Sequence, residues 1–401
     1  MARVMGRGQR GMLLRGFVCG TNDHKASGFA GGYFLGRSSL KPASIVRKVL
    51  VYRLGSLGDT VVALPCFHQI ARAYPHAERL LLTNFPAHAK APAAAAVLGD
   101  SGLIHGYLRY TVGTRSVVEL LRLAWQIRRF RPDVLVYLMP ARPLKSARRD
   151  RLFFRIAGVR QVAGFPGEEE LKHRFDPAMG RYESEASRLA RALGELGDAN
   201  VADLANWNLK LTVAERETAA VALSTLSQAP LIVCGPGTKM QAKDWGEENW
   251  RLLLARLHAV YPRHALALIG AKEDNATAEY AATDWPAPKV NLCGRLTPRE
   301  TAAVLERAEL FLGPDSGPMH LAASVGVPCV IAFSAAGLPG VWFPAGQQHQ
   351  IVYHQTSCHG CKLENCVVEA RRCMTSITVD EMAAAASRAM SAGGKNSAAA
   401  F

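Results

Sequence analysis

From residue 46 to residue 165, short β-branched apolar runs alternate with longer stretches whose apolar residues recur every three or four positions. Residues 48–54 (KVLVYRL) read as a strand that runs into the glycine-punctuated turn GSLG at 55–58, and residues 59–73 then carry helical periodicity. Strands over 79–83, 133–139 and 161–165 and helices over 117–130 and 145–157 continue the alternation, which specifies a parallel sheet covered by helices. Polar helical segments over 183–196 and 214–226 interrupt it. It restarts with strands over 231–234, 265–269, 290–292, 309–312 and 329–333 and helices over about 248–260, 298–307 and 319–325, and a last helix spans 379–390. The expected fold is α/β, with two Rossmann-like doubly wound domains facing each other across a cleft, where ligands bind at the carboxyl ends of the strands. The expected division is an arm at 1–44, domains at 45–205 and 229–378 joined by a linker at 206–228, and a final helix and mobile tail at 379–401.

Composition agrees with two domains, since 401 residues that are 49% hydrophobic suffice for two cores. The formal charge of +15 is unevenly spread: residues 1–48 hold nine Lys/Arg against the single acid Asp23. The stretch 1–44 is rich in Gly, Arg and Ser, lacks apolar periodicity, and contains no run apolar enough for a signal segment or a membrane span. It is expected to be a disordered basic arm, either merely solvated or attracted to anionic lipid or nucleic acid. Charge alone also leaves a non-enzymatic, basic nucleic-acid-binding protein in view. GSLG at 55–58 is not GxGxxG, which speaks against an NAD-dependent dehydrogenase. Nine cysteines without a secretory signal suggest a reducing, cytoplasmic setting.

Four loops after strands carry candidate chemistry. In RLGSLGD at 53–59, the glycines permit a tight turn that leaves Ser56 and Asp59 facing the cleft, where Asp59 is read either as a helix N-cap or as a general base. In the segment from Gly235 to Trp250, Thr238, Lys239 and Lys243 suit a diphosphate, and Trp245 and Trp250 pin the loop to the domain. Glu273, just past a strand end, is read as a ribose-binding acid or a capping acid. In GPDSGPMH at 313–320, Asp315, Ser316, Gly317 and His320 surround a helix N-terminus, whose unpaired N–H groups and dipole favour phosphate.

Together, the RxGSxGD turn, the KxW segment at Lys243 and Trp245, the PDSGPMH loop and the terminal cysteine pattern resemble glycosyltransferase family nine, the ADP-heptose:lipopolysaccharide heptosyltransferase family. The resemblance runs from about residue 46 to the end of the last helix. It implies the GT-B fold and an inverting, metal-independent transfer of a sugar, commonly heptose, from an ADP-activated donor to a hydroxyl of a lipopolysaccharide core or other bacterial surface glycan. By motif, Asp59 is the implied base, Thr238 and Lys243 hold the diphosphate, Glu273 meets the ribose, Asp315 contacts the donor sugar, and Ser316, Gly317 and His320 line the diphosphate side. Lys239 stands where family members often carry a hydroxyl residue. A protein acceptor and a different nucleotide-sugar are the alternatives within the same machinery, and no specific nucleic acid is expected.

The implied acceptor domain is the N-terminal one, where Arg53 and Ser56, in the Asp59 turn, are candidate acceptor contacts. Between Arg142 and Arg160 the chain adds a basic amphipathic helix, with Arg142, Arg148 and Arg149 as candidate contacts to acceptor phosphates or to the anionic inner membrane, and an ordinary surface helix as the alternative. Cys358, Cys361, Cys366 and Cys373 have spacing compatible with a structural zinc, with His354 and His359 nearby, or are free thiols.

Overall fold

Both sheets form where the apolar runs lie, because strands covered on two faces need apolar residues at nearly every position. The computed structural model describes residues 42–84, 94–110, 113–226 and 229–396, so most of the basic arm and the end of the tail lie outside the described residues. The first sheet is fully parallel in the order β3-β2-β1-β4-β5. Its strands are β1 (Lys48–Tyr52), β2 (Glu78–Asn84), β3 (Gly106–Tyr110), β4 (Val134–Tyr137) and β5 (Val162–Ala163). Alternate residues of β1 face opposite sides. Val49 and Val51 pack with Phe67 and Ile70, whereas Leu50 and Tyr52 pack with Leu123, Ile127 and Phe154. The first set of partners belongs to α2 (Leu64–Ala73), which follows α1 (Leu57–Val62), with α3 (Ala94–Leu98) next along the chain. The second set comes from α4 (Val117–Phe130) and α5 (Leu144–Ile156).

A small antiparallel hairpin, β6 (Phe175–Asp176) and β7 (Arg181–Tyr182), precedes α6 (Glu185–Ala192) and α7 (Val213–Ala222). The second sheet, also fully parallel, has the order β10-β9-β8-β11-β12-β13. It comprises β8 (Leu231–Cys234), β9 (Ala265–Leu268), β10 (Lys289–Asn291), β11 (Leu310–Pro314), β12 (Cys329–Phe333) and β13 (Gln350–Tyr353). Its helices are α8 (Glu247–Val260), α9 (Asn275–Ala281), α10 (Pro298–Leu305), α11 (Gly317–Ser324), α12 (Arg372–Thr375) and α13 (Val379–Asn396).

The structure departs from the sequence expectations at edges and breaks. The helix expected over 59–73 is two helices, since Ala63 ends the first and Pro65, lacking an N–H, fits the opening turn of the second. The edge strands β3 (GYLRY) and β13 (QIVY) lack the continuous apolar run that marks a central strand.

The two halves share one core, in which Val61 and Val97 of the first are buried in the same cluster as Val304, Met319 and Leu321 of the second. Arg299 of α10 locks them together. Its buried guanidinium donates to the carbonyls of Val97, Leu209 and Lys210 at 2.9–3.0 Å and grips Glu215 of α7 at 2.5 and 3.0 Å. A second clasp joins the hairpin to the loop after β12: Tyr182 N–H donates to the Pro339 carbonyl at 2.8 Å and Glu185 N–H to that of Val341 at 2.9 Å. Gly340 sits there at φ +94°, with the Tyr182 carbonyl where a side chain would start.

Arg299→Met should lower stability by about 3–5 kcal/mol, because Glu215 and several buried carbonyls lose their partner. Urea unfolding of the two proteins measures this, and an unchanged midpoint would remove Arg299 from the role of lock.

Candidate functional site

The turn from β1 into α1 places Asp59 at the third helical position. There its Oδ2 accepts the Ser56 N–H at 2.7 Å and the Ser56 hydroxyl at 2.8 Å. The N-cap is therefore Ser56 and not Asp59, which instead closes a capping box from the third helical position through Oδ2. Oδ1 has only a 3.9 Å ion pair with Arg53, and the side chain keeps 23% of its exposure. Arg53, fully buried, donates to the carbonyls of Asp59 at 2.6 Å and Leu138 at 3.2 Å.

Behind Arg53 lies a network absent from the sequence expectations. Glu185 is gripped by Arg188 through two 2.7 Å bonds, touches His173 at 2.9 Å and stands 4.0 Å from Arg53. Burial opposes its ionisation, yet the bonds from Arg188 and His173 and the charges of both arginines outweigh it and hold the carboxyl at about 2.

The helix openings of the two halves meet beside this turn. A side chain on Gly58 would come within 2.9 Å of His320 Cδ2, and one on Gly317 within 2.9 Å of Leu57 Cδ2. Only glycine allows this approach. Lys243 Nζ pairs with Asp315 Oδ2 at 2.9 Å, and Asp315 and His320 are both buried. Burial lowers the His320 pKa to about 4, helped by the Lys243 charge and opposed by Asp315 and Asp59, so the ring is neutral at pH 7. Ser316 precedes the first turn of α11 without capping it, and its buried hydroxyl oxygen has no hydrogen-bond partner. An orphaned hydroxyl beside an uncapped helix start, next to a lysine, is the donor set that a phosphate requires.

The structure thus gathers Arg53, Ser56, Asp59, Lys243, Asp315, Ser316, Gly317 and His320. Thr238 is half-buried and its hydroxyl accepts the Met240 N–H at 3.3 Å, while Lys239 is exposed. Trp245 and Trp250 do pin the lysine loop: they stack edge-on at 4.6 Å, and Trp245 Nε1 donates to the Ile377 carbonyl. Glu273 is exposed. Its neighbour Asp274, which the sequence reading passed over, accepts the Ala271 N–H at 2.7 Å and packs its carboxylate against Gly237 of the β8 loop. The available signal was its place as third residue of a short helical turn. Arg142 follows β4 and is held by the buried Asp150 at 2.5 Å, whereas Arg148 and Arg149 are exposed on α5.

The zinc expectation is corrected. Among the described residues no three His, Cys, Asp or Glu side chains are grouped so as to hold a metal ion. Cys358, Cys361, Cys366 and Cys373 do line one small pocket, but three of the thiols are drawn to separate neighbours: Cys358 to Thr356, Cys366 to the Arg371 N–H and Cys373 to Ser334. His354 bridges Ser376 and Glu381, and His359 turns to the Thr356 carbonyl. Backbone N–H groups of Glu369, Arg371 and Val368 lower the Cys366 pKa. This segment braces the lysine loop: Ala242 N–H donates to the Glu364 carbonyl, Cys366 N–H to Gln241, and Arg371 to Asp244 at 2.7 Å.

Comparison with known proteins places this geometry. A 105-residue stretch is 31% identical to lipopolysaccharide heptosyltransferase 3 of Escherichia coli, covering 26% of this chain and only 31% of that enzyme's length. Among solved structures, a glycosyl transferase family 9 protein of Veillonella parvula superposes with a TM-score of 0.67 at 16% identity, over 86% of this chain and 98% of that one. The ADP-heptose lipopolysaccharide heptosyltransferase II of E. coli gives 0.60 at 16% identity, over 86% and 99%. E. coli heptosyltransferase WaaC with ADP gives 0.54 at 17% identity, over 85% and 99%. These likenesses show the GT-B fold. The model of glycosyltransferase family 9 (heptosyltransferase) matches residues 153–371, more than half the chain and the part that carries Lys243, Asp315 and His320, so the chain belongs to that family.

Proposed function

We propose that the protein is an inverting glycosyltransferase that moves heptose from an ADP-activated donor to a hydroxyl of a lipopolysaccharide core. The observation that carries this reading is the meeting of Asp59 with the Lys243–Asp315–His320 group at the facing starts of α1 and α11. The family match and the stretch shared with lipopolysaccharide heptosyltransferase 3 support the heptose donor and the lipopolysaccharide acceptor. The half at 45–205 receives the acceptor and the half at 229–378 holds the donor. No helix among the described residues is long and apolar enough to cross a membrane. The proposed setting is cytoplasmic, with peripheral contact to the anionic inner membrane.

Asp59 takes the acceptor's proton through Oδ1, while the Oδ2 cap keeps the carboxylate in place. The acceptor oxygen then attacks the anomeric carbon from the side opposite the diphosphate, and the bond from that carbon to the leaving oxygen breaks. Negative charge grows on the ADP, where Lys243, the Ser316 hydroxyl and the N–H groups at the start of α11 offset it. Neutral His320 donates one N–H without adding a charge, and Asp315 orients Lys243 and the sugar hydroxyls. Thr238 and Lys239 extend the diphosphate contacts, Glu273 and Asp274 lie on the ribose side, and Arg142, Arg148 and Arg149 meet acceptor phosphates.

Isothermal titration with ADP, UDP, GDP and NAD should show selective ADP binding, and a UDP or GDP preference would discard the ADP-heptose donor. Lys243→Ala should weaken ADP binding by about 10- to 100-fold, the worth of one charge-assisted contact. Asp59→Asn should lower kcat by about 10²–10⁴-fold with ADP affinity nearly unchanged, and equal loss of both would make Asp59 a purely structural cap. The depressed His320 pKa has a pH consequence. Unfolded histidine protonates near pH 6.5 and the folded ring only near 4, so the unfolded state binds more protons in that window and stability falls as pH falls through it. His320→Gln should flatten the stability profile between pH 6.5 and 4 in urea unfolding, and an unaltered slope would contradict a neutral buried ring.

A further inference from the structure

The outer side of α4 is apolar although its inner side already packs on the sheet. Leu123, Ile127 and Phe130 are buried beneath it, yet Val117, Val118, Leu121 and Trp125 recur at helical spacing on the opposite face and are 58–76% exposed. On the neighbouring α5, Leu152 and Ile156 are each 61% exposed above the buried Ala147 and Phe154. Arg128 donates to the Ile156 carbonyl at 2.7 Å, which joins the two stripes into one surface. Soluble surfaces seldom leave so many large apolar side chains together without something to cover them.

The rim identifies the cover. Residues 113–160 contain twelve Arg and Lys side chains against Glu119, Asp133 and Asp150, and Asp150 is buried. Arg122, Arg129 and Arg155 are exposed beside the apolar stripe, with the Arg129 guanidinium lying 5.4 Å from the Trp125 ring centre. Two copies of so basic a face would repel each other. Nucleic acid would satisfy the arginines and leave Val117, Val118 and Leu121 in water. An anionic bilayer satisfies both sets, since aliphatic side chains enter the acyl boundary, tryptophan sits at the headgroups and arginines meet phosphate. We propose that the outer faces of α4 and α5 are a docking surface for an anionic lipid bilayer. The inference deepens the membrane contact proposed above and rests on that part of the reading, not on the identity of the donor.

The test is cosedimentation of the full chain with phosphatidylglycerol-containing and with pure phosphatidylcholine vesicles, without any sugar donor, alongside ADP titration and light scattering. The chain should bind the anionic vesicles and not the zwitterionic ones. A Leu121→Ser/Trp125→Ser variant should lower the partition coefficient by about tenfold or more, and Arg122→Glu and Arg155→Glu by about fivefold or more each. Unchanged ADP affinity in these variants would show that they fold, so loss of vesicle binding with ADP binding intact supports the surface. Variants that bind vesicles as well as the unaltered chain would overturn it and assign any lipid affinity to the basic arm. An oligomer that the Leu121→Ser/Trp125→Ser variant dissociates, or retention on DNA, each without vesicle binding, would overturn it in favour of a second copy or a nucleic acid. A chain that binds vesicles but no ADP would instead sink the transferase reading and leave this surface standing.

Discussion

Arg53 carries a positive charge into the core at the end of β1, and the cleft is arranged around the need to neutralise it. A lone buried cation is costly, so the structure supplies the carbonyls of Leu138 and Asp59 and, at 4.0 Å, the carboxylate of Glu185. Glu185 in turn needs more than one partner to stay ionised when buried, and the Arg188 guanidinium and a hydrogen bond from His173 complete it. Arg188 reaches the Met139 carbonyl, so the ends of β1 and β4 and the start of α6 are fastened by one set of charges. The proposed base keeps its carboxylate, because Arg53 grips the main chain of Asp59 rather than consuming its side chain.

Much of the fold was legible because its central strands are covered on both faces. VLVY in β4, LIVC in β8 and CVIAF in β12 are unbroken apolar runs that little else can produce. Edge strands are a different matter: Arg109 in β3 is exposed and Gln350 in β13 is half-buried, in positions that pattern reading assigns to loops. The Asp59 turn was legible as a helix start, although the N-cap is Ser56 and Asp59 closes the capping box from the third helical position.

What the linear chain could not disclose is pairing across long separations. Nothing local tells that Gly58 lies against His320, that Lys243 is held by Asp315, or that Glu185 shares its charge with Arg53. Between zinc and free thiols the cysteine quartet was undecided in sequence for a related reason. Spacing limits where thiols can go, but packing decides it, and there the sulfurs of Cys358, Cys366 and Cys373 each answer to a separate neighbour. The outer stripe of α4 was hidden because helical periodicity reports apolar positions without telling which face the sheet takes.

The way the halves are clasped bears on how the chain is made. Carbonyls at Val97 and Leu209 and the Tyr182 strand are all finished by residues from the second half, Arg299 and the turn at Gly340. A ribosome delivers the first sheet well before either arrives. During that interval the emerging half presents the uncovered side of Val61 and Val97, an apolar face that the finished protein never shows. The chain therefore invites chaperone attention during synthesis, and a truncation before Arg299 would retain that burden permanently.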